Sequence, residues 1–170
     1  MTAILAALVL VPMRPAAPAT AVLNTAQAQA KRESKNVLVL FKASWCRWCG
    51  EFEGLLDDPA LDSAWKRSYI VARINVRERG EQKALENPGW EEVMRRLRGS
   101  DDMDVPYMAI LAPSGRKLAD SLRVGSGPIP ANAGYPAKPD EIAAFEAAIR
   151  TTSKFTPDDL QTLDRRLAQK

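Results

Sequence analysis

The sequence predicts an α/β sandwich around a mixed β-sheet, and three observations carry that reading. A β-forming run, NVLVLFKAS, passes straight into a helical pattern. Helical and strand-like segments then continue in the order α-β-α-β-α-β-β-α-α. Two of the strands are joined by a Pro-Ser-Gly turn, which marks a hairpin. The chain of 170 residues is one ordinary domain, long enough to bury a core.

The elements follow from local pattern. TAVLNTAQAQAKRESK (residues 20–35) is rich in Ala, Gln, Lys and Glu, all good helix formers. In the next run, residues 37–41 are continuously apolar, as expected of a strand covered on both faces. CRWCGEFEGLL reads as a helix whose apolar stripe is Phe52, Leu55 and Leu56, ended by Asp57-Asp58-Pro59. ALDSAWKRSY is a short second helix, and YIVARINV (residues 69–76) a second strand. PGWEEVMRRLRG is a helix with Pro88 near its first turn and Gly99 as its C-cap. VPYMAILA is a strand with Pro106 at its start, where a missing N–H does not interrupt a ladder. KLADSLRVG is its return strand, and SGPIPANAGYPAKP a long Pro/Gly loop. Two helices close the chain, and Thr156-Pro157-Asp158-Asp159 is a strong N-terminal signature for the second.

Composition excludes several functions. The net charge is only +3, with acids and bases interspersed, so no nucleic-acid footprint is present. The short basic runs KRESK and RRLRG read as solvated helix faces. There is no histidine. Its absence removes the Ser/His and Cys/His nucleophile pairs and the commonest zinc ligand. At the N-terminus, residues 3–11 form an unbroken apolar run followed by Ala-x-Ala at Ala17 and Ala19. The run is too short to span a bilayer but suits a secretory signal, although no Lys or Arg precedes it. Residues 1–19 are therefore expected to be a signal peptide or a disordered arm, and no later segment is expected to span a membrane.

The two cysteines, Cys46 and Cys49, carry the functional question. Zinc needs four ligands, and two thiols without histidine fall short unless acids or a second chain complete the set. Haem attachment needs histidine after the second cysteine, and position 50 is glycine. A purely structural disulfide over so small a loop would stabilise weakly. What remains is redox chemistry by a Cys-x-x-Cys pair at a strand-to-helix junction. At a helix N-terminus, the dipole and free N–H groups favour a Cys46 thiolate, with Arg47 adding positive potential. Cys49, one turn on, is expected to be more buried and able to resolve a mixed disulfide. Trp45 and Trp48 flank the pair, either as packing surface for a partner or as ordinary half-buried aromatics.

The stretches VLVLFKASWCRWC, VARINV and NPGWEEVMRRLRGSDDMDVPYMAILAPSGRKLADSLRVG resemble the thioredoxin-like superfamily over roughly residues 21–150. The resemblance implies a thioredoxin-like fold: a central mixed sheet flanked by helices, here with an extra C-terminal helix. By domain, it implies a thioredoxin-like unit over 20–152 and a helical extension over 153–170. It makes Cys46 the attacking thiol and Cys49 the resolving thiol. Pro106 becomes the cis-proline facing the disulfide, and Val105 the backbone contact to substrate. CRWCGEFEGLLDDPALDSAW is further similar to the C-terminal periplasmic domain of membrane thiol-reductant conductors. Thioredoxins place a buried aspartate six residues before the first cysteine; here that position is Leu40. Glu53, four residues beyond Cys49 on the same helix face, is the candidate replacement, matching a glutamate of the conductor domains. Lys42 and Arg73 on neighbouring strands are candidates to bear on thiolate stability.

These readings lead to a thiol–disulfide oxidoreductase acting on protein thiols and disulfides. Reductase is favoured over oxidase by the subfamily resemblance alone. A membrane reductant donor is the implied electron source, and the cysteine pair itself is the redox group, so no cofactor or metal is expected. The alternative is a non-catalytic thioredoxin-like binding module with a permanently closed disulfide. Export to the periplasm is expected if the apolar run is a signal, and a cytoplasmic location if it is not. Asp101, Asp102 and Asp104, with the loop over residues 126–139 and the turn at Gly125, are expected to border the substrate groove.

Overall fold

The computed structural model describes residues 15–123 and 130–169. Its elements are α1 (Ala19–Glu33), β1 (Asn36–Lys42), α2 (Arg47–Leu56), α3 (Asp62–Ser68), β2 (Tyr69–Asn75), α4 (Trp90–Arg98) and β3 (Tyr107–Leu111). They are followed by β4 (Lys117–Asp120), β5 (Leu122–Arg123), β6 (Ala131–Asn132), α5 (Pro139–Thr152) and α6 (Pro157–Ala168). The main sheet has the order β2-β1-β3-β4. β1 pairs in parallel with β2 and antiparallel with β3, and β3 pairs antiparallel with β4, so the sheet is mixed as expected.

β1 is central because residues 37–41 are apolar without interruption, and all five are fully buried. Strand alternation sends Val37, Val39 and Phe41 to one face, against Leu23, Ala26 and Ala30 of α1 and Val93, Met94 and Leu97 of α4. Leu38 and Leu40 go to the other, against Phe52 and Leu55 of α2, Phe145 and Ile149 of α5, and Leu163 and Leu167 of α6. Each of these side chains contributes on the order of 1.5–3 kcal/mol by leaving water, so both faces of β1 must stay covered.

Two expectations need correction. The return strand read over residues 117–125 is broken at Ser121: β4 ends at Asp120, and β5 joins β6 in a separate two-stranded sheet. The cause is local side-chain hydrogen bonding. Ser121 N–H still donates to the Met108 carbonyl at 2.9 Å, but the return bond from the Met108 N–H goes to Ser121 Oγ at 3.1 Å, the Ser121 carbonyl turns to the Ala133 N–H at 2.9 Å, and Asp120 Oδ1 accepts the Leu122 N–H at 3.0 Å. Accordingly, the loop read over 126–139 has structure of its own in β6. Pro88 lies just outside α4, whose N-cap is Gly89 at φ 75°, while Gly99 caps its end at φ 78°. The proposed signal run and Gly125 lie outside the described residues, apart from residues 15–19, which lead into and begin α1. Among the described residues no helix is long and apolar enough to cross a membrane.

Candidate active site

The site forms where β1 ends and α2 begins. Cys46 is the N-cap of α2, in extended conformation, and its Sγ accepts the Cys49 N–H at 3.2 Å. The two cysteines are joined in a disulfide with Cα atoms 5.2 Å apart. Cys46 is half-buried, whereas Cys49 is 1% exposed beneath it, so a partner can approach the first sulfur and not the second. The Val105–Pro106 peptide is cis, and the Val105 carbonyl oxygen lies 3.6 Å from Cys46 Sγ. The structure thus brings Cys46, Cys49, Val105 and Pro106 into one constellation.

The chain before the cysteines is held by a segment the sequence did not single out. Glu78, 5% exposed, accepts the Ser44 N–H at 2.9 Å and the Ser44 hydroxyl at 2.5 Å. Its own N–H donates to Glu86 at 2.9 Å. Trp45 Nε1–H donates to the Arg77 carbonyl at 2.7 Å, and the Arg79 guanidinium lies 4.0 Å over the Trp45 ring. Arg77 has a φ of 52°, a conformation side chains other than glycine adopt at a cost. That turn presents its carbonyl to Trp45 and the neighbouring carboxylate to Ser44.

The cis-proline side is clamped from behind. Asn132 Nδ2 donates to the Pro106 carbonyl at 2.9 Å, and its Oδ1 accepts from the Ser121 hydroxyl at 2.7 Å and the Gly134 N–H at 3.1 Å. Gly134 has φ 64°, a turn conformation that favours glycine, and it lies against Pro106. Tyr135 is stacked on Trp48 at 5.8 Å between ring centroids and packs edge-on to Phe52 at 6.1 Å. Asn-Ala-Gly is a turn signal in the sequence, but nothing local indicates that its asparagine grips a proline carbonyl. Glu78 carries no local signal at all.

Glu53 is engaged by cations: Lys42 Nζ at 2.7 Å and Arg73 Nε at 3.4 Å, with Arg73 also reaching Asp57 at 2.6 Å. Both basic candidates therefore converge on the glutamate. Leu40, fully buried two residues before Lys42, puts hydrocarbon where thioredoxins keep an acid. The Arg47 guanidinium stands 5.6 Å from the centre of the Trp48 ring. Asp101 and Asp102 turn back to α4, pairing with Arg95 at 2.5 Å and with the buried Arg98, which leaves Asp104 exposed on that loop. No group of three or more histidine, cysteine or acidic side chains arranged for a metal occurs among the described residues.

A family model described as thioredoxin-like matches residues 19–113, from α1 to the turn after β3. Comparison with curated proteins finds no match. Among solved structures, the chain is similar to a disulphide isomerase from Xylella fastidiosa Temecula1, at 19% identity and a TM-score of 0.51. The match covers 66% of this chain and 80% of that one. The thioredoxin domain of a thiol-disulfide oxidoreductase from Bacteroides vulgatus matches at 22% identity and TM-score 0.38, over 55% of this chain and 74% of that one. A thioredoxin-fold protein from Helicobacter pylori matches at 14% identity and TM-score 0.43, over 79% and 83%. The first of these likenesses shows the fold.

Proposed function

The chain belongs to the thioredoxin-like family, and from that premise we propose that it is a thiol–disulfide oxidoreductase that reduces disulfides in protein partners. One observation carries the reading: an accessible sulfur at a helix N-cap, backed by a buried one and faced by the Val105 carbonyl. A purely structural bridge needs none of these three features.

The steps follow from the positions of the atoms. In the dithiol form, the Cys46 thiolate sits where the Cys49 N–H and the α2 dipole lower its free energy. It attacks one sulfur of the partner's disulfide, forming a Cys46–partner bond and releasing the other partner sulfur as thiolate. Cys49 then loses its proton and attacks Cys46 Sγ. This closes the Cys46–Cys49 bond and releases the second partner thiolate. Two electrons pass from protein to partner, and the thiolates take protons from water. The redox group is the cysteine pair, and no bound cofactor takes part. Glu53, four residues after Cys49 on α2, is the candidate to receive that proton, and it offsets the charge of Lys42.

The direction of electron flow and the source of electrons are part of the same proposal. The Cys46-to-Trp65 stretch supports a reductase fed by a membrane thiol-reductant conductor, and the apolar residues 3–11 support export to the periplasm. The test is a trap: Cys49→Ser expressed in full-length form should accumulate mixed disulfides on Cys46 that dissolve with reductant and are absent in Cys46→Ser/Cys49→Ser. A Cys49→Ser protein that captures no partner in the cell envelope would remove the catalytic reading and leave a binding module with a closed disulfide.

A further inference from the structure

The loop between α4 and β3 ends on the group that faces the reactive sulfur, the Val105 carbonyl, 3.6 Å from Cys46 Sγ. A side chain outside the site reaches that loop from below. Arg98, the last residue of α4, is 5% exposed overall, and its side chain is fully buried. Its guanidinium stands 5.5 Å from the centre of the Tyr107 ring, and its Nη2 donates to Asp102 Oδ2. Asp102 uses its other oxygen, Oδ1, to accept the Asp104 N–H at 3.2 Å. A line of bonds thus runs from the end of α4 through Asp102 to the residue just before Val105.

Stability alone is a poor reason for an arginine there. Its Nε and Nη1 are buried with no hydrogen-bond partner, so Asp102 is its one ion-pair partner among the described residues. Burying a guanidinium so incompletely bonded is costly, and an apolar side chain in such a place is often as stable or more so. The neighbouring pair, Arg95 with Asp101, is exposed at both ends, where water competes for it. Arg77 Nη1 holds the Met103 carbonyl at 3.2 Å, and Asn132 Nδ2 reaches the Asp104 and Pro106 carbonyls at 3.5 and 2.9 Å. Arg98 with Asp102 is therefore the buried charged hold on this loop, and it acts next to Val105.

We propose that Arg98 and Asp102 are positioning residues for exchange: their pair fixes where the Val105 main chain meets an extended partner segment lying across Cys46. The inference rests on the exchange reading above and on a segment contact at Val105, and it leaves the bond-making steps unchanged. Its effect is selective. A peptide disulfide has to align along the Val105 backbone, whereas a small disulfide meets the sulfur without that contact. Misplacing the loop slows the first reaction and spares the second.

The experiment reacts the reduced full-length protein with an extended synthetic peptide carrying a disulfide at mid-chain and, separately, with bis(2-hydroxyethyl) disulfide. The readout is the ratio of the two second-order rate constants. Arg98→Met keeps an unbranched side chain there without the charge and leaves Asp102, 35% exposed, to water. It should lower the ratio about tenfold, with the small-disulfide rate unchanged. If Arg98→Met does not fold, Asp102→Glu takes its place with the same direction expected, because it keeps both charges but sets the carboxylate one methylene further from the loop backbone. A pair that only stabilises the fold would leave both rates alone or lower them together. An unchanged ratio would therefore overturn the positioning role and leave exchange intact. If the unaltered protein reduces the small disulfide and not the peptide, the segment contact falls, and the inference with it. No reaction with either disulfide would overturn the exchange reading as well.

Discussion

Two sulfurs separated by two residues have different surroundings: Cys46 is the N-cap of α2 and Cys49 is buried. That division was legible in the sequence, because a strand running into Cys-x-x-Cys and then a helix fixes which cysteine meets the helix terminus. What surrounds Cys49 was only half legible. The i, i+4 spacing put Glu53 on the right face, but only the packing shows it bonded to Lys42 and Arg73. Glu53→Gln takes away a negative charge one helical turn from the buried Cys49, which favours its thiolate. The pH titration of the Cys49 Cβ signal in NMR spectra of the reduced protein should therefore move to lower pH; an unchanged titration would retire Glu53 from the site. Glu78 is the residue whose role the sequence hid, since its partner Ser44 is 34 positions away. Glu78→Ala removes the carboxylate that holds the Ser44 N–H and hydroxyl, and because Ser44 is exposed water can replace it, so urea unfolding should show a loss of only about 1 kcal/mol together with slower reaction of Cys46. No change in either would contradict the cradle described for the redox loop.

At the scale of elements, period and punctuation gave most of the sheet. The uninterrupted apolar run predicted a strand covered on both faces, and the layers on either side of β1 bear that out. Leu40→Ala, at a fully buried position against α2, should cost about 2–5 kcal/mol in denaturant unfolding. The break at Ser121 was not legible, because Lys117–Arg123 alternates well enough for one strand. The decision lies in the hydrogen bonds that Ser121 Oγ accepts from the Met108 N–H and donates to Asn132, which depend on tertiary register. Those bonds make β5–β6 a brace for the cis-proline loop rather than a continuation of the sheet. Asn132→Ala removes the donor to the Pro106 carbonyl and the acceptor for Ser121. It should lower stability by about 1–3 kcal/mol and reduce the rate of partner reduction more than Leu40→Ala does at equal stability. A rate loss that merely tracks stability would show that Asn132 does not position the site.

Across the whole molecule, the C-terminal helices complete the layer that backs α2. Leu163 and Leu167 of α6 are buried with Phe52 and Phe145, and Arg166 and Asp159 pair with Asp58 and Arg67 at 2.7 and 2.6 Å. Tyr69 sits at this junction, its hydroxyl 2.7 Å from Thr152 Oγ1, and burial pushes its phenol up to about 12. The unfolded chain releases that proton near pH 10, while the folded one keeps it, so Tyr69's contribution is present below pH 10 and is lost as pH rises toward 12. Urea midpoints should fall over that range, and Tyr69→Phe should flatten the fall; a midpoint that holds steady there would contradict the burial. The fold thus builds one accessible sulfur over one buried sulfur and braces both from distant parts of the chain. The central claim, that the pair is redox-active, is tested most directly by equilibrating the protein against graded thiol–disulfide buffers and measuring the fraction of Cys46–Cys49 disulfide. The account predicts a reduction potential between about −270 and −120 mV, the span of catalytic pairs of this kind. A potential below about −300 mV, the range of structural bridges, would contradict it.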